Sequence, residues 1–242
     1  MKLVDDVRTL LNSDTQIAGI LDLSPFDDAP TLLGSLLGSI CKSAHVAGAV
    51  TRVYRSNPTL QKQTEYDITE AARRNFEPGG PAATFLFARG SHAIMAYRVT
   101  HQLWQDGDTN MALALKAAFG RAFSTDIHPA AQIGAGLWLD HGLGFVVGET
   151  SVIDEDVSIW HNVTLGSTLA DTGPSRHPHI GRGAVIGAGA TILGNIKIGA
   201  FANIAAGAIV LENVPERILA VGTKARNVGP ATITFASPKS TS

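Results

Sequence analysis

The chain has 242 residues, enough for one large domain or two modest ones, and 45% hydrophobic against 17% charged content supplies a core and excludes wholesale disorder. A formal charge of −2 offers no basic face for nucleic acid. Glycine is frequent at 25 residues while aromatics are only 6%, which suits tight, repeated corners rather than a bulky aromatic core.

The opening segment MKLVDDVRTL carries two acids where a signal peptide needs basic and then apolar residues. The longest weakly polar run, Ala29 to Ile40, is too short to cross a bilayer. A soluble, cytoplasmic chain with no membrane partner is therefore expected. Cys41 is the only cysteine, so no intrachain disulfide can form and a reducing compartment fits. Within LLGSICKSAHV it reads as a buried, inert thiol on an amphipathic helix.

Residues 1 to about 122 read as helical. Asp28 and Pro30 announce one helix running through TLLGSLLGSICKSAHVAGAV. A second covers Thr59 to Arg74, and EPGGP, Glu77 to Pro81, reads as a loop. Ser91 then opens SHAIMAYRVTHQLWQ, apolar at Ile94, Met95, Tyr97, Val99, Leu103 and Trp104 and closed by Asp106 and Gly107. A last helix spans Met111 to Phe123. An α-helical domain is thus set at residues 1–123.

After Ser124 the period becomes six. Aliphatic residues recur at Ile127, Ile133 and Leu139, then at Val147, Ile153, Ile159 and Leu165. They recur again at Ile180, Ile186, Ile192, Ile198, Ile204 and Val210, often followed by glycine. A helix, with period 3.6, cannot bury such a series. Three short flat strands per coil can: each repeat sends one aliphatic residue inside, 18 residues close a triangular turn, and coils stack through parallel strand pairing at about 4.8 Å. The expected fold is an N-terminal α-helical domain followed by a left-handed parallel β-helix of hexapeptide repeats over 124–230, with a C-terminal tail at 231–242.

The repeat breaks twice, by two extra residues between Leu139 and Val147 and by nine between Leu165 and Ile180. The second break, GSTLADTGPSRHPH, must leave the coil as a loop, and it carries Arg176 and His177. His45, His92 and His101 fall in the helical half, where packing or solvent-facing roles are the default. His141 and His161 occupy the same position of their repeats, 20 residues apart, so they should stack in neighbouring coils. Such a pair could bind zinc, but no third ligand falls in phase and no metal is expected. The alternative is base catalysis: an alcohol becomes a nucleophile when a base takes its proton, and histidine suits pH 7. A carboxylate on the other ring nitrogen fixes the tautomer, and Asp126, one coil below the corner that follows His141, is the candidate.

Three stretches, RGSHAIMAYRVTHQLW, DIHPAAQIGAGLWLDHGLGFVVGETSVIDEDVSIWHNVTLGST and RHPHIGRGAVIGAGATILGNIKIG, closely resemble the serine acetyltransferases. The likeness covers roughly residues 85 to 229, and its LDH, GET, RHP and GAGATILGN blocks, in that order, set it apart from other hexapeptide acyltransferases. It implies an acyl-CoA-dependent O-acyltransferase that uses acetyl-CoA as cosubstrate and forms O-acetylserine from L-serine. His141 resembles the general base, Asp126 its orienting partner, and Asp140 the carboxylate that meets the acceptor's ammonium. Arg176 and His177 match the pair that engages the acceptor's carboxylate. Backbone at Ala188 and Ala206 matches the track of the pantetheine arm, and Lys224 and Arg226 the approach to its phosphates. The family places each site between adjacent β-helices of a homotrimer, and helical domains join trimers into hexamers.

The chain departs from the family pattern at three places. Asn75 stands where an aspartate joins the LDH aspartate around the ammonium, with Glu77 close enough to replace it. Losing one charged hydrogen bond costs about 1.5–3 kcal/mol, roughly ten- to a hundred-fold in affinity. Ser167 replaces the second glycine of LGGT beside the coenzyme channel. The sequence ends in SPKSTS instead of the isoleucine tail that docks into cysteine synthase, which argues against that partner. Besides serine acetyl transfer, two readings stay open: an acyltransferase with another amino-acid-like acceptor or acyl group, and a zinc-dependent hydratase of the carbonic anhydrase type on the same scaffold.

Overall fold

The computed structural model describes residues 2–168, 170 and 173–227, so the tail at 231–242 lies outside the described residues. The helical half runs α1 (Lys2–Ser13), α2 (Gln16–Ile20), α3 (Ala29–Ile40), α4 (Ala44–Ser56), α5 (Pro58–Arg74), α6 (Gly80–Phe87), α7 (Arg89–Gln105) and α8 (Thr109–Phe123). Ser124, in the left-handed region at φ 56°, ends α8, and strand structure starts at Asp126.

Two expectations need correction here. The single helix announced by Asp28 and Pro30 is two. Asp28 caps α3, accepting a hydrogen bond from Thr31 N at 2.9 Å, but the chain breaks after Ile40 and Ser43 caps α4 through Val46 N. Lys42 takes a positive φ of 50° at the break, and the two helices fold back on each other. Their contact is too close for side chains at the glycines: a Cβ on Gly38 would sit 2.5 Å from Ala47 Cβ. The second correction concerns EPGGP, which is loop only to Gly79. Gly80 and Pro81 already belong to α6, with proline in the first turn, where its missing N–H costs nothing. Cys41 ends α3 half-buried, and burial raises its thiol pKa, in keeping with an inert side chain.

The second half is a parallel β-helix. Thirteen strands, β1 (Asp126–Ile127), β2 (Gln132–Ile133), β3 (Trp138–Leu139), β4 (Val146–Val147), β5 (Val152–Ile153), β6 (Ser158–Ile159), β7 (Thr164–Gly166), β8 (His179–Ile180), β9 (Val185–Ile186), β10 (Thr191–Leu193), β11 (Lys197–Ile198), β12 (Asn203–Ile204) and β13 (Ile209–Val210), each carry one of the thirteen predicted aliphatic residues. All thirteen are buried. The sheets run β1-β4-β7-β10-β13, β11-β8-β5-β2 and, with β14 (Leu219–Ala220), β14-β12-β9-β6-β3.

Register reproduces the spacing of the repeat. Thr191 pairs with Ile209, a step of 18 residues; Asp126 pairs with Val146, a step of 20; Thr164 pairs with Thr191, a step of 27. The two insertions therefore add length at the corners and leave the stack in phase. Strand β14 was not foreseen, because Glu216 occupies the in-phase position after Val210 and the last coil is two residues short, Asn203 pairing with Leu219. The glycine after the aliphatic residue has a packing reason: a Cβ on Gly187 would lie 2.5 Å from the Ala206 amide of the next coil.

Buried polar groups lock the halves together. Arg98 of α7, 2% exposed, donates to Asp67 of α5 at 2.9 Å and to the carbonyls of Ile133 and Gly134 on the β-helix. Asp67 Oδ1 in turn accepts from Gly136 N at 2.6 Å. Arg74, on the last turn of α5, reaches Val157 O and Ser158 Oγ, and Tyr66 OH donates to Asp156. These contacts fix where α5 ends, at Asn75.

His92, buried in α7, bonds Phe85 O through Nε2 at 2.7 Å, the packing role expected of it. Burial lowers its pKa to about 4. In the unfolded chain a histidine titrates near about 6.5. Below that pH the unfolded state binds a proton that the folded state refuses, so stability falls as pH drops through this window. Acidification from pH 7 to 5 should therefore cost about 2 kcal/mol through this side chain. Urea denaturation of the wild type and of His92→Gln at both pH values checks it: the variant should lose that part of the pH dependence.

Candidate active site

The two-residue insertion builds the centre of the site. Strand β3 ends at Leu139, and Asp140 and His141 follow in a widened turn that Gly142 and Gly144 complete at φ 80° and 66°. His141 itself sits at φ 58°, a conformation histidine tolerates better than most residues. Its ring is mostly exposed, with Nε2 3.3 Å from Asp140 Oδ2. The His161 ring packs edge-on against it, centroids 5.5 Å apart, as the 20-residue spacing predicts. His161 Nδ1 is buried with no hydrogen-bond partner among the described residues.

The N-terminus of α7 comes down onto this turn. A Cβ on Gly90 would clash with the Leu139 carbonyl, so only glycine lets the helix approach. Between them lies a cavity of about 300 Å³ whose lining includes Asn75, Glu77, Thr84, Trp138, Asp140 and His141. Asn75 and Glu77, 65 residues or so before the LDH block, thus share a pocket with it. Asn75 Nδ2 donates to Glu77 Oε2 at 3.2 Å. The amide thereby braces the carboxylate.

Other expected residues stand apart from that cavity. Asp126, 61% exposed, is ion-paired with Lys116 of α8 rather than with His141. Arg176 pairs with Glu149 of the GET block at 2.6 Å, which holds that carboxyl below the usual range. His177 is buried, and its Nδ1 accepts from Thr150 Oγ1 at 2.8 Å. Ala188 and Ala206 occupy equivalent positions of adjacent coils, with Gly207 N donating to Ala188 O. They continue downward the column that His141 and His161 begin, each two residues past the core residue of its strand. Ser167 is half-buried, and Lys224 and Arg226 are exposed beyond β14.

The chain is similar to known proteins over most of its length. The family described as bacterial transferase hexapeptide (six repeats) matches residues 177–212. A serine acetyltransferase of Buchnera aphidicola is 39% identical over 234 residues, covering 94% of this chain and 85% of that protein. The chain belongs to the serine acetyltransferase family. A relative from Schizosaccharomyces pombe is 50% identical over 148 residues, a span of 61% of this chain and 54% of the longer protein. Among solved structures, a truncated serine acetyltransferase apoenzyme superimposes with a TM-score of 0.84 at 37% identity, covering 93% of this chain and 97% of that one. The superposition takes in both halves, so the α-helical domain followed by a left-handed parallel β-helix is the family fold. Two further serine acetyltransferase structures hold ligands: one is a complex with CoA (TM-score 0.81, 36% identity), the other, from Neisseria gonorrhoeae, a complex with serine (TM-score 0.82, 34% identity). No helix among the described residues is long and apolar enough to cross a membrane.

Sequence reasoning missed Thr84, Lys116 and the Asp67–Arg98 pair. Thr84 lies in the apolar run AATFLF, and Arg98 interrupts an otherwise apolar stretch of α7. A lone charge in such a stretch was the signal for a buried ion pair.

Proposed function

We propose that this chain is a serine O-acetyltransferase, moving the acetyl group of acetyl-CoA to the hydroxyl of L-serine in the cytoplasm. The observation that carries the proposal is the cavity that joins His141 and Asp140 to Glu77, on a chain of this family. His141 takes the proton of the serine hydroxyl as the oxygen attacks the thioester carbonyl. When the tetrahedral intermediate collapses, the C–S bond breaks and the imidazolium returns its proton to the departing thiolate. A thioester is already activated, so the step needs no metal. The relatives described above are serine acetyltransferases, which favours this reading over the hydratase one.

Asp140 meets the serine ammonium, and Glu77, braced by Asn75, supplies the second carboxylate in place of the family aspartate. Arg176 and His177 bind the serine carboxylate from the neighbouring β-helix of a homotrimer, with pairing of trimers through the helical domains. Their separation from the cavity within one chain supports this division. Asp126 turns from Lys116 to orient His141 once the site is assembled. The coenzyme arm lies along Ala188 and Ala206 past Ser167, its phosphates near Lys224 and Arg226.

Glu77→Gln should raise the serine KM by roughly ten-fold or more, because a charge-assisted hydrogen bond becomes a neutral one. Asn75→Asp should change it little, since a second carboxylate 3.2 Å from Glu77 repels the first as much as it helps the substrate. Steady-state KM values for serine in both variants decide it. The opposite ranking would give the role to position 75, and indifference to both would point to another acceptor.

A further inference from the structure

We infer that Thr150 is a positioning residue for the acceptor's carboxylate, holding the Arg176–His177 pair in place and fixing the proton of the His177 ring on Nε2. The inference rests on the proposed function, which gives that pair to the carboxylate, and it adds the residue that aims the pair. Gly148, Glu149 and Thr150 form the corner between β4 and β5, and the extruded loop returns onto it. Thr150 Oγ1 accepts from the backbone N–H groups of Arg176 at 3.0 Å and of His177 at 3.2 Å. Those two bonds fill the lone pairs of the hydroxyl. Its own proton therefore goes to His177 Nδ1, 2.8 Å away. Glu149 takes the Arg176 guanidinium through Nη2, one nitrogen of a fork that offers five N–H donors. The Arg176 side chain stays 36% exposed. A Cβ on Gly148 would lie 2.0 Å from the His177 ring, so only glycine lets the imidazole rest on this corner.

The Thr150 amide decides the tautomer. Its N–H also points at His177 Nδ1, at 3.2 Å, and a backbone amide can only donate. Nδ1 is therefore an acceptor without a proton, and the neutral ring carries its hydrogen on Nε2. An ionised carboxylate has acceptors only, so it binds an imidazole N–H and is repelled by an imidazole lone pair. The tautomer set by Thr150 is the one that donates to it. Arg176 supplies the charge, and His177 a neutral donor whose ring is held by two bonds at its other nitrogen.

Thr150→Val keeps the shape and removes the hydroxyl. It should raise the serine KM about ten-fold, the scale of one hydrogen bond to a charged group. Turnover at saturating serine and the acetyl-CoA KM should stay within about two-fold, because the reacting atoms are untouched. Thr150→Ser, which keeps the hydroxyl, should restore the serine KM. Should Thr150→Val fold poorly, Thr150→Ala set against Thr150→Ser gives the same comparison. A second readout needs no substrate: nitrogen-15 spectra of histidine-labelled protein at about pH 8, where an ordinary imidazole is neutral. The His177 signals are those missing from His177→Asn. Wild type should show an unprotonated Nδ1 and a protonated Nε2. A proton on Nδ1, or a serine KM unchanged in Thr150→Val or Thr150→Ala while the wild type uses serine, overturns this inference alone. A wild-type protein without serine-dependent activity overturns the proposed function and the carboxylate role with it, whatever the ring spectrum shows.

Discussion

Replacing His141 with alanine should lower serine-dependent turnover by at least about a hundred-fold, the usual scale for removing a general base. The fold should survive. His141 is mostly exposed, and its described side-chain contacts are Asp140 and His161, so little packing goes with the ring. Its left-handed φ of 58° is a cost that histidine already bears, and alanine adds little to it. His141→Asn, which suits that conformation and is no base, should be equally slow. Asp126→Asn should be milder, because the imidazole remains and only its orientation suffers. Rapid turnover by a folded His141→Ala protein would remove His141 from the mechanism.

Replacing Arg98 with leucine should cost about 3–5 kcal/mol of stability, as expected when one partner of a buried ion pair is lost. Asp67 would be left as a carboxylate 5% exposed, keeping only the Gly136 amide of its described partners, and the carbonyls of Ile133 and Gly134 would lose their donor. Urea denaturation measures the loss. Activity should fall as well, because α5 would no longer be pinned to the coil that carries Leu139 and Asp140. Adding Asp67→Leu should recover part of the stability, since an apolar pair avoids the unpaired charge. A loss below about 1 kcal/mol, the scale of an exposed pair, would show that the halves are held by other contacts.

The β-helix was legible in the sequence because each coil repeats one local requirement: an aliphatic residue inside, then a residue small enough for the next coil to pass. The buried aliphatic residue is present at every predicted strand from Ile127 to Val210, glycine follows it at positions 134, 148, 166, 181, 187 and 199, and the two insertions read directly as register steps of 20 and 27. The helical half was less legible. One helix ends at Ile40 and Ser43 caps the next through Val46 N, with Gly38 packed on Ala47, and the hydrophobic pattern runs straight across that break. The site divides in the same way. His141 stacks on His161 because repeat spacing dictates it. Asn75 and Glu77 reach Asp140 because Arg98 and Arg74 anchor α5 across the domain boundary, which local patterns do not encode. Thr84 left no signal at all, since a threonine among apolar residues is ordinary in a buried helix.

The central claim is that an acetyl group passes from a thioester to the hydroxyl of serine. Thiol release from acetyl-CoA, followed with L-serine and then with a panel of other amino-acid acceptors while the product is identified by mass spectrometry, tests it most directly. The mechanism predicts thiol release that depends on serine, one acetylserine formed for each thiol, and near-complete loss of both in His141→Ala. Thiol release indifferent to serine, or fastest with another acceptor, would contradict it.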